Sequence, residues 1–467
     1  KKKNRTKIGL SDEEIEKRIK NFQPDLVGIS SMFTAFSYDA HFLAALIKKI
    51  DPKIKVILGG AHVSILPQLT IKDKNVDIVV RGEGEITFWE IVQAIEKGKD
   101  YTGITGTVVR RKGRVVINPP RLYIPNLDIL PFPAYDRFPM EAYFKVAESS
   151  PFVTSSKLCG IISSRGCPGD CTYCSIHSVW GHTWRGRSAK NVVDEMEFLI
   201  NKYGIKEFSF LDDSVACFNT RMEEICKEII RRKLQIKWST PNGISHWTLN
   251  ERLLDKMKAS GCYRITFGIE SGNLCTREFI GWKKNFSLGQ AKRITKYANK
   301  IGLWTISTFI LGFPYETRQS IEDSINFAIE SDTDFAAFFL LMPFPGTRVY
   351  EIFKKEKLLD FDHLLDPAVG KQESQLAKLG SALAQNGCRT KYFSQKELQE
   401  LLSEAYTRFW RARFISFLNP VRIIRKINSL ADVKYAARIC VTGVKMKINQ
   451  LKHGGFTAHM ISRVNRD

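Results

Sequence analysis

The feature that most constrains this chain is an alternation, between residues 160 and 360, of short apolar runs with amphipathic stretches. IISS is followed by a helical pattern from Ser188, EFSFLDD by one from Thr220, and IKWSTPNG by one from Asn250. RITFGIESG, WTISTFILGFP and FAAFFLLMPFPGT continue the series, each ending in turn residues and each leading into a helical stretch. Six β/α units supply most of a parallel barrel, and such a barrel presents its working residues at the carboxyl ends of its strands.

A second alternation occupies residues 25 to 99. DLVGISS, KVILGG and DIVVRGEGE read as strands, with helices after the first two and after Glu85, again a parallel α/β layout. Ligands of open parallel sheets sit beyond the strand carboxyl ends, here Ser30-Ser31, Gly59-Gly60 and Gly82-Glu83-Gly84. Glycine there lets a large flat ligand approach the backbone, and turn punctuation accounts equally well for any one of them. TVVRR and RVVIN around Lys112-Gly113 predict a β-hairpin over Thr107 to Asn118, and the proline-bearing stretch from Pro119 reads as linker. The expected division is 1–118, a linker over 119–159, the barrel over 160–360, and a helical basic region over 361–467.

Seventy-one basic against 49 acidic residues leave a net charge of +22, which suits a nucleic acid, an anionic membrane or a phosphorylated substrate. Residues 411–467 hold twelve Lys or Arg against Asp432 and Asp467, so nearly half the excess lies in the last eighth of the chain. The longest apolar run, Phe335 to Met342, is far short of the ~20 residues that span a bilayer. The Lys-rich start has no apolar signal core, and a cytoplasmic, reducing location is expected.

Three of the ten cysteines cluster: Cys167, Cys171 and Cys174 stand in CPGDCTYC, just after the first barrel run. Three thiolates can hold a [4Fe–4S] cluster and leave one iron open to a small molecule. Zinc competes, because His177 and His182 could complete a zinc site, although no second cysteine pair lies nearby. The other seven cysteines read as small buried hydrophobes.

CxxxCxxC at the end of a first barrel strand, with Tyr173 before the last cysteine, resembles the radical S-adenosylmethionine (radical SAM) superfamily. The resemblance implies that Cys167, Cys171 and Cys174 hold the cluster, that its open iron chelates the methionyl amine and carboxylate, and that reduction yields a 5′-deoxyadenosyl radical. It also implies that Tyr173 packs near adenine. Asp212, Asp213 and Ser214 would meet the methionyl amine, Glu270 and Ser271 the ribose, and the backbone of Gly312 to Pro314 the adenine. Solvated caps are the competing reading of these carboxylates.

CSIHSVWGHTWRGRS and PFPGT, together with GISS, GGAHVS and VVRGEGE, resemble the branch that carries an N-terminal, Rossmann-like cobalamin-binding domain. The resemblance runs from residue 25 to about 360 and implies cobalamin against Ser30, Ser31, Gly59, Gly60, Gly82, Glu83 and Gly84. Strands that open such a domain before Asp25 have no counterpart, so a partial domain is expected. No DxHxxG occurs, so no protein histidine is expected on cobalt; His62 reads as a loop-exposed or helix-start residue.

The implied function is methylation of an unactivated carbon or a phosphorus centre of a small molecule. One S-adenosylmethionine methylates the cobalamin, another makes the radical, and a flavodoxin or ferredoxin supplies electrons. Oxidative cyclisation or rearrangement is the runner-up. A tRNA-modifying enzyme is the reading from another class, disfavoured because residues 1–150 lack the extra cluster cysteines of methylthiolating relatives. Trp180, Trp184, Arg185 and Arg187 either seal the site or pack before the cap Ser188. Phe409 to Ile427 interleaves apolar residues with arginines and reads first as a helix packed by its apolar side on the barrel with solvated arginines outside, ahead of a membrane-surface helix. Peripheral membrane contact or lid use is expected of the basic tail in place of nucleic-acid binding.

Overall fold

The alternation seen in the sequence is realised as two parallel sheets. The computed structural model describes residues 9–148, 150, 152–281, 287–366, 387–417 and 419–453. These fall into two units, the first built on residues 9–124 with 173–180 and 342–366, the second on 125–172, 181–341 and 387–453.

In the first unit β1 (Leu26–Ser30), β2 (Lys55–Gly59) and β3 (Ile78–Val80) run parallel. β4 (Thr107–Arg111) and β5 (Arg114–Ile117) follow antiparallel, in the spatial order β1-β2-β3-β4-β5. The expected hairpin forms because Lys112 (φ 48°) and Gly113 (φ 77°) both take the left-handed conformation that a tight two-residue turn needs. β2 and β3 are apolar along their length because both faces are covered. Val56, Leu58 and Val79 pack with Ala44 and Ile47 of the helix Ser37–Ile50, and Ile57, Ile78 and Val109 with Ile91 of the helix Gly84–Glu96. β1 forms one edge of this sheet among the described residues.

The second unit contains six parallel strands: β6 (Leu158–Ile161), β7 (Glu207–Phe210), β8 (Lys237–Ile244), β9 (Cys262–Glu270), β10 (Trp304–Leu311) and β11 (Phe335–Leu340), adjacent in chain order. The helices between them start at capping side chains. Ser188, Asn250, Asn273, Ser287 and Thr317 each accept the backbone N–H three residues on, and each such cap is worth about 1 kcal/mol. Phe208, Phe210, Trp238, Phe267, Phe309 and Phe338 are fully buried in one core, with Phe309 and Phe338 stacked at 5.2 Å. The stretch expected as a linker carries short 3-10 turns at Leu127–Ile129 and Tyr135–Arg137 and the helix Met140–Glu148.

The C-terminal region is helical as expected: Gln395–Phe417, Pro420–Ile424 and Leu430–His453. Its apolar side packs on the barrel as the first reading had it, and what the structure corrects is the expectation that the basic side chains there all lie solvated outside. Phe409 is buried against the barrel core, and Arg413 donates to Asp332 at 3.2 Å. Arg422 bridges Asp332 (2.6 Å) and Asp334 (2.9 Å), and the fully buried Lys426 donates to Asp334 (2.7 Å) and Asn299 (2.6 Å) beneath the amino end of β11. Phe414 and Ile424 remain outside, and Leu418 lies outside the described residues. No helix among the described residues is long and apolar enough to cross a membrane.

Candidate active site at the strand carboxyl ends

The chain leaves β6 through Ser163 and Ser164 and enters the cysteine loop. A side chain at Gly169 would stand 3.4 Å from Cys167 Sγ and 3.9 Å from Cys171 Sγ, so the two sulfurs flank one glycine. Burial and the neighbouring Asp213 push the Cys167 thiol up, while the Gly169 amide and the Ser214 hydroxyl pull it down. A metal replaces the proton and lets those two donors stabilise the thiolate. These residues fit a thiolate-held cluster. Cys174 and Tyr173 fall in the stretch grouped with the first unit.

At the end of β7 the three residues divide their work. Asp212 is buried and accepts bonds from the Ser163 amide (3.1 Å) and hydroxyl (2.7 Å) and from the Ser164 hydroxyl. It ties the end of β7 to that of β6. Asp213 keeps solvent access, yet partial desolvation and the Asp212 charge raise its pKa to about 6. Ser214 offers its hydroxyl to Cys167 and its carbonyl to Trp184 Nε1 at 2.9 Å.

Glu270 closes β9 at a register shift and holds φ at 64°, a left-handed conformation that costs a non-glycine residue of order 1 kcal/mol. Thr308 of β10 donates to its Oε1 at 3.2 Å. Strain of this kind collects at functional sites. Ser271 is fully buried and occupied with the turn, 3.1 Å from Ser324 Oγ and accepting from the Asn273 amide.

After β10, Gly312 takes φ 91°, and its amide and that of Phe313 both donate to Glu316 Oε2, at 2.7 and 3.2 Å. Glu316 is 2% exposed, and burial raises its pKa to about 7 against the pull of those two amides and the Thr276 hydroxyl. Sequence reasoning missed Glu316. Its only signal was a carboxylate two residues past a Gly-Phe-Pro turn. His246, fully buried beyond β8, was missed as well: burial, with Arg277 nearby, holds its pKa down to about 3 and keeps it neutral.

The scattered cysteines need correction. Cys159, Cys226, Cys262 and Cys388 are buried as expected, but Cys275 and Cys440 are exposed. Cys217 is half-buried and close enough to Cys167 to feel its charge.

In the first unit, Ser30 is exposed at the end of β1, followed by exposed Met32, Phe33 and Phe36. Ser31 is buried, its amide donating to Gly59 O (2.8 Å) and its carbonyl accepting from the His62 amide (3.2 Å). Gly60 (φ 105°) is required there, because a Cβ would lie 2.7 Å from Ser31 O. The Gly82 amide donates to Ser64 Oγ at 2.9 Å, and buried Glu83 accepts from the Ile124 amide at 2.6 Å. Gly59 and Gly84 have room for a Cβ. An edge of backbone, one exposed hydroxyl and exposed apolar side chains fits a large macrocycle with an apolar face. His62 starts the helix Ala61–Ile65 as one reading had it, but it is buried, 3.1 Å from Thr34 Oγ1, and burial lowers its pKa to about 4.

A six-stranded parallel sheet with three clustered cysteines after its first strand, in a chain that also carries a separate α/β unit, defines an enzyme of the radical SAM type. The Radical SAM superfamily model matches residues 161–328 and the B12 binding domain model residues 5–92. An uncharacterized methyltransferase of Pyrococcus horikoshii is 37% identical over 90% of this chain and 84% of its own length. The cytidylyl-2-hydroxyethylphosphonate methyltransferase of Streptomyces wedmorensis is 34% identical over 73% and 69%. The structure of the radical SAM methyltransferase TsrM from Kitasatospora setae, with tryptophan and a SAM analogue, shares the fold at TM-score 0.67 and 19% identity, covering 86% of this chain and 80% of that one. The chain belongs to the cobalamin-dependent radical SAM methyltransferase family. Its cofactors are accordingly a [4Fe–4S] cluster, S-adenosylmethionine and cobalamin.

Proposed function

We propose that this enzyme methylates an unactivated carbon or a phosphorus centre of a small molecule, using S-adenosylmethionine both as methyl source and as radical source. The observation that carries the reading is that Cys167, Asp213 with Ser214, Glu270 and Gly312 all stand at the carboxyl ends of one parallel sheet, each held by the contacts described above. When bound, the cluster supplies the electron that cleaves the sulfonium, and the cobalamin carries the methyl group.

The protein's residues bind and orient. Asp213 and Ser214 receive the methionyl amine, Asp213 as acceptor and charge partner. Glu270 accepts the ribose hydroxyls from its strained position. The Gly312–Phe313 backbone, aligned by Glu316, meets adenine. Ile162 and Leu211, exposed apolar side chains just past β6 and β7, exclude water from the radical. Ser30 and the Met32–Phe36 segment would hold cobalamin, and His62, committed inside the fold, would take no part in holding it.

Methyl transfer is favoured over cyclisation because the relatives at 37% and 34% identity described above are named methyltransferases. The second of these acts, by its name, on a cytidylyl phosphonate, and a phosphorylated or phosphonylated small molecule is the substrate class to screen first. An acidic flavodoxin or ferredoxin suits the positive chain as electron donor. Membrane contact would fall to Phe414, Val421 and Ile424, which the barrel leaves exposed, and liposome flotation tests it.

The test is anaerobic reconstitution with iron, sulfide and cobalamin, followed by reductant and S-adenosylmethionine. Methyl transfer by this route yields S-adenosylhomocysteine and 5′-deoxyadenosine in equal amounts and a product heavier by one methylene. A reconstituted enzyme that forms 5′-deoxyadenosine alone points to cyclisation or rearrangement, and one that forms neither overturns the reading.

A further inference from the structure

Residues 166–184 depart from the end of β6 and return beside it, carrying Cys167 and Cys171. The excursion is closed by a short antiparallel ladder, Ser164 opposite Gly186 and Arg165 opposite Arg185, and by the Arg187 amide donating to Ser163 O at 2.9 Å. So few backbone bonds are a weak closure for a long loop, whose ordering entropy opposes them.

Arg221, on the helix Asn219–Arg231, reaches both feet of the loop. Its Nη2 donates to Ser163 O at 2.5 Å and its Nε to Arg187 O at 2.8 Å. The guanidinium lies over the ring of Trp184 at 5.2 Å. Trp184 in turn packs edge-on against Phe218 at 5.0 Å and donates its Nε1 to Ser214 O, the residue whose hydroxyl faces Cys167. Gly186 is the floor of this stack: a Cβ there would strike the Trp184 ring and come within 2.7 Å of Arg221 Nε. Burial disfavours the cation, and the nearby Asp212 charge offsets part of that. Two carbonyls far apart in sequence, one aromatic face and one planar fork are a geometry that lysine, a point charge, does not reproduce.

We propose that Arg221 is the positioning residue that clamps the two feet of the cysteine loop, so that retention of the cluster depends on its guanidinium fork. The proposal rests on Cys167, Cys171 and Cys174 being the cluster ligands. Reconstituted wild type, Arg221→Lys, Arg221→Met and Gly186→Ala are challenged anaerobically with a ferrous chelator. Iron loss is followed by absorbance and by the cluster's EPR signal, and melting by circular dichroism. Ile229→Val, a buried core change on the same helix, serves as the control for lost stability. R221K sheds iron about tenfold faster than wild type, as expected for losing a charge-assisted bond. R221M is faster still and G186A moves the same way, while I229V keeps the wild-type rate. Wild-type retention in R221K and R221M, or equally fast loss in I229V at the same melting loss, overturns the clamp. A wild-type chain that takes up no iron overturns the ligand assignment itself, and the clamp with it.

Discussion

The two ends of the six-stranded sheet follow opposite rules. At the amino end buried charges meet opposite charges: Lys426 on Asp334, Arg422 on Asp334 and Asp332, Arg413 on Asp332, with the Thr305 amide completing Asp334 at 2.8 Å. Glu207, fully buried at the amino end of β7 and near enough to Arg264 to interact with its charge, also accepts from the Thr154 and Ser155 amides and the Tyr263 hydroxyl, at 2.6, 2.9 and 2.6 Å. At the carboxyl end Glu316 leans on two amides and a hydroxyl, Asp212 on two serines, and Glu270 sits in a strained backbone. Ion pairs hold the base, and the raised pKa values of Asp213 and Glu316 and the left-handed backbone of Glu270 lie in the mouth, where chemistry needs them.

The largest effect expected on this contrast is chemical and confined to the mouth. Cys167→Ala, Cys171→Ala or Cys174→Ala removes a cluster ligand and abolishes 5′-deoxyadenosine formation, measured by chromatography after reduction, while the melting of the apo chain stays near that of the wild type. The next is structural and confined to the base. Asp334→Ala leaves Lys426 buried without its carboxylate, which costs about 3–5 kcal/mol, or about 10 °C in melting temperature for a unit of this size. 5′-Deoxyadenosine formed per cluster at low temperature stays within about twofold. A variant of Asp334 that melts normally breaks the contrast.

Glu316 sharpens it through pH. Its folded pKa of about 7 lies above the ordinary 4.5, so the folded state holds the proton more tightly and stability falls as pH rises from 4.5 through 7. Above pH 7 the full cost, about 3 kcal/mol, is present. Glu316→Gln keeps an acceptor for the two amides and removes that cost, so it gains on wild type at pH 8 and not at pH 5, by scanning calorimetry. Its affinity for S-adenosylmethionine falls about tenfold at pH 8, because the neutral amide aligns the Gly312–Phe313 turn less firmly. The smallest effect belongs to the outer face of the C-terminal helix. Phe414→Ala, at an exposed position, changes stability by less than about 0.5 kcal/mol in chemical denaturation.

Local pattern alone determined a good deal of this protein. The period of apolar residues placed both sets of strands, Lys112-Gly113 set the hairpin, Ser188 and Asn250 began their helices, and the spacing of Cys167, Cys171 and Cys174 named the family. Each is legible because neighbours a few residues apart settle it: a face is buried or not, a φ is allowed or not, a cap reaches its amide or not. The tertiary structure decided which polar side chains were already spoken for. Glu83, Asp212 and Ser271, expected to face cofactors, each hold backbone or another side chain, and Glu316 and Arg221, unremarked in the sequence, organise turns at the strand carboxyl ends. Arg422 and Lys426 of the basic tail turned inward for the same reason, since they lie about ninety residues from the aspartates they meet. Partners that far apart are chosen by how the strands and helices pack, and no local period carries that choice.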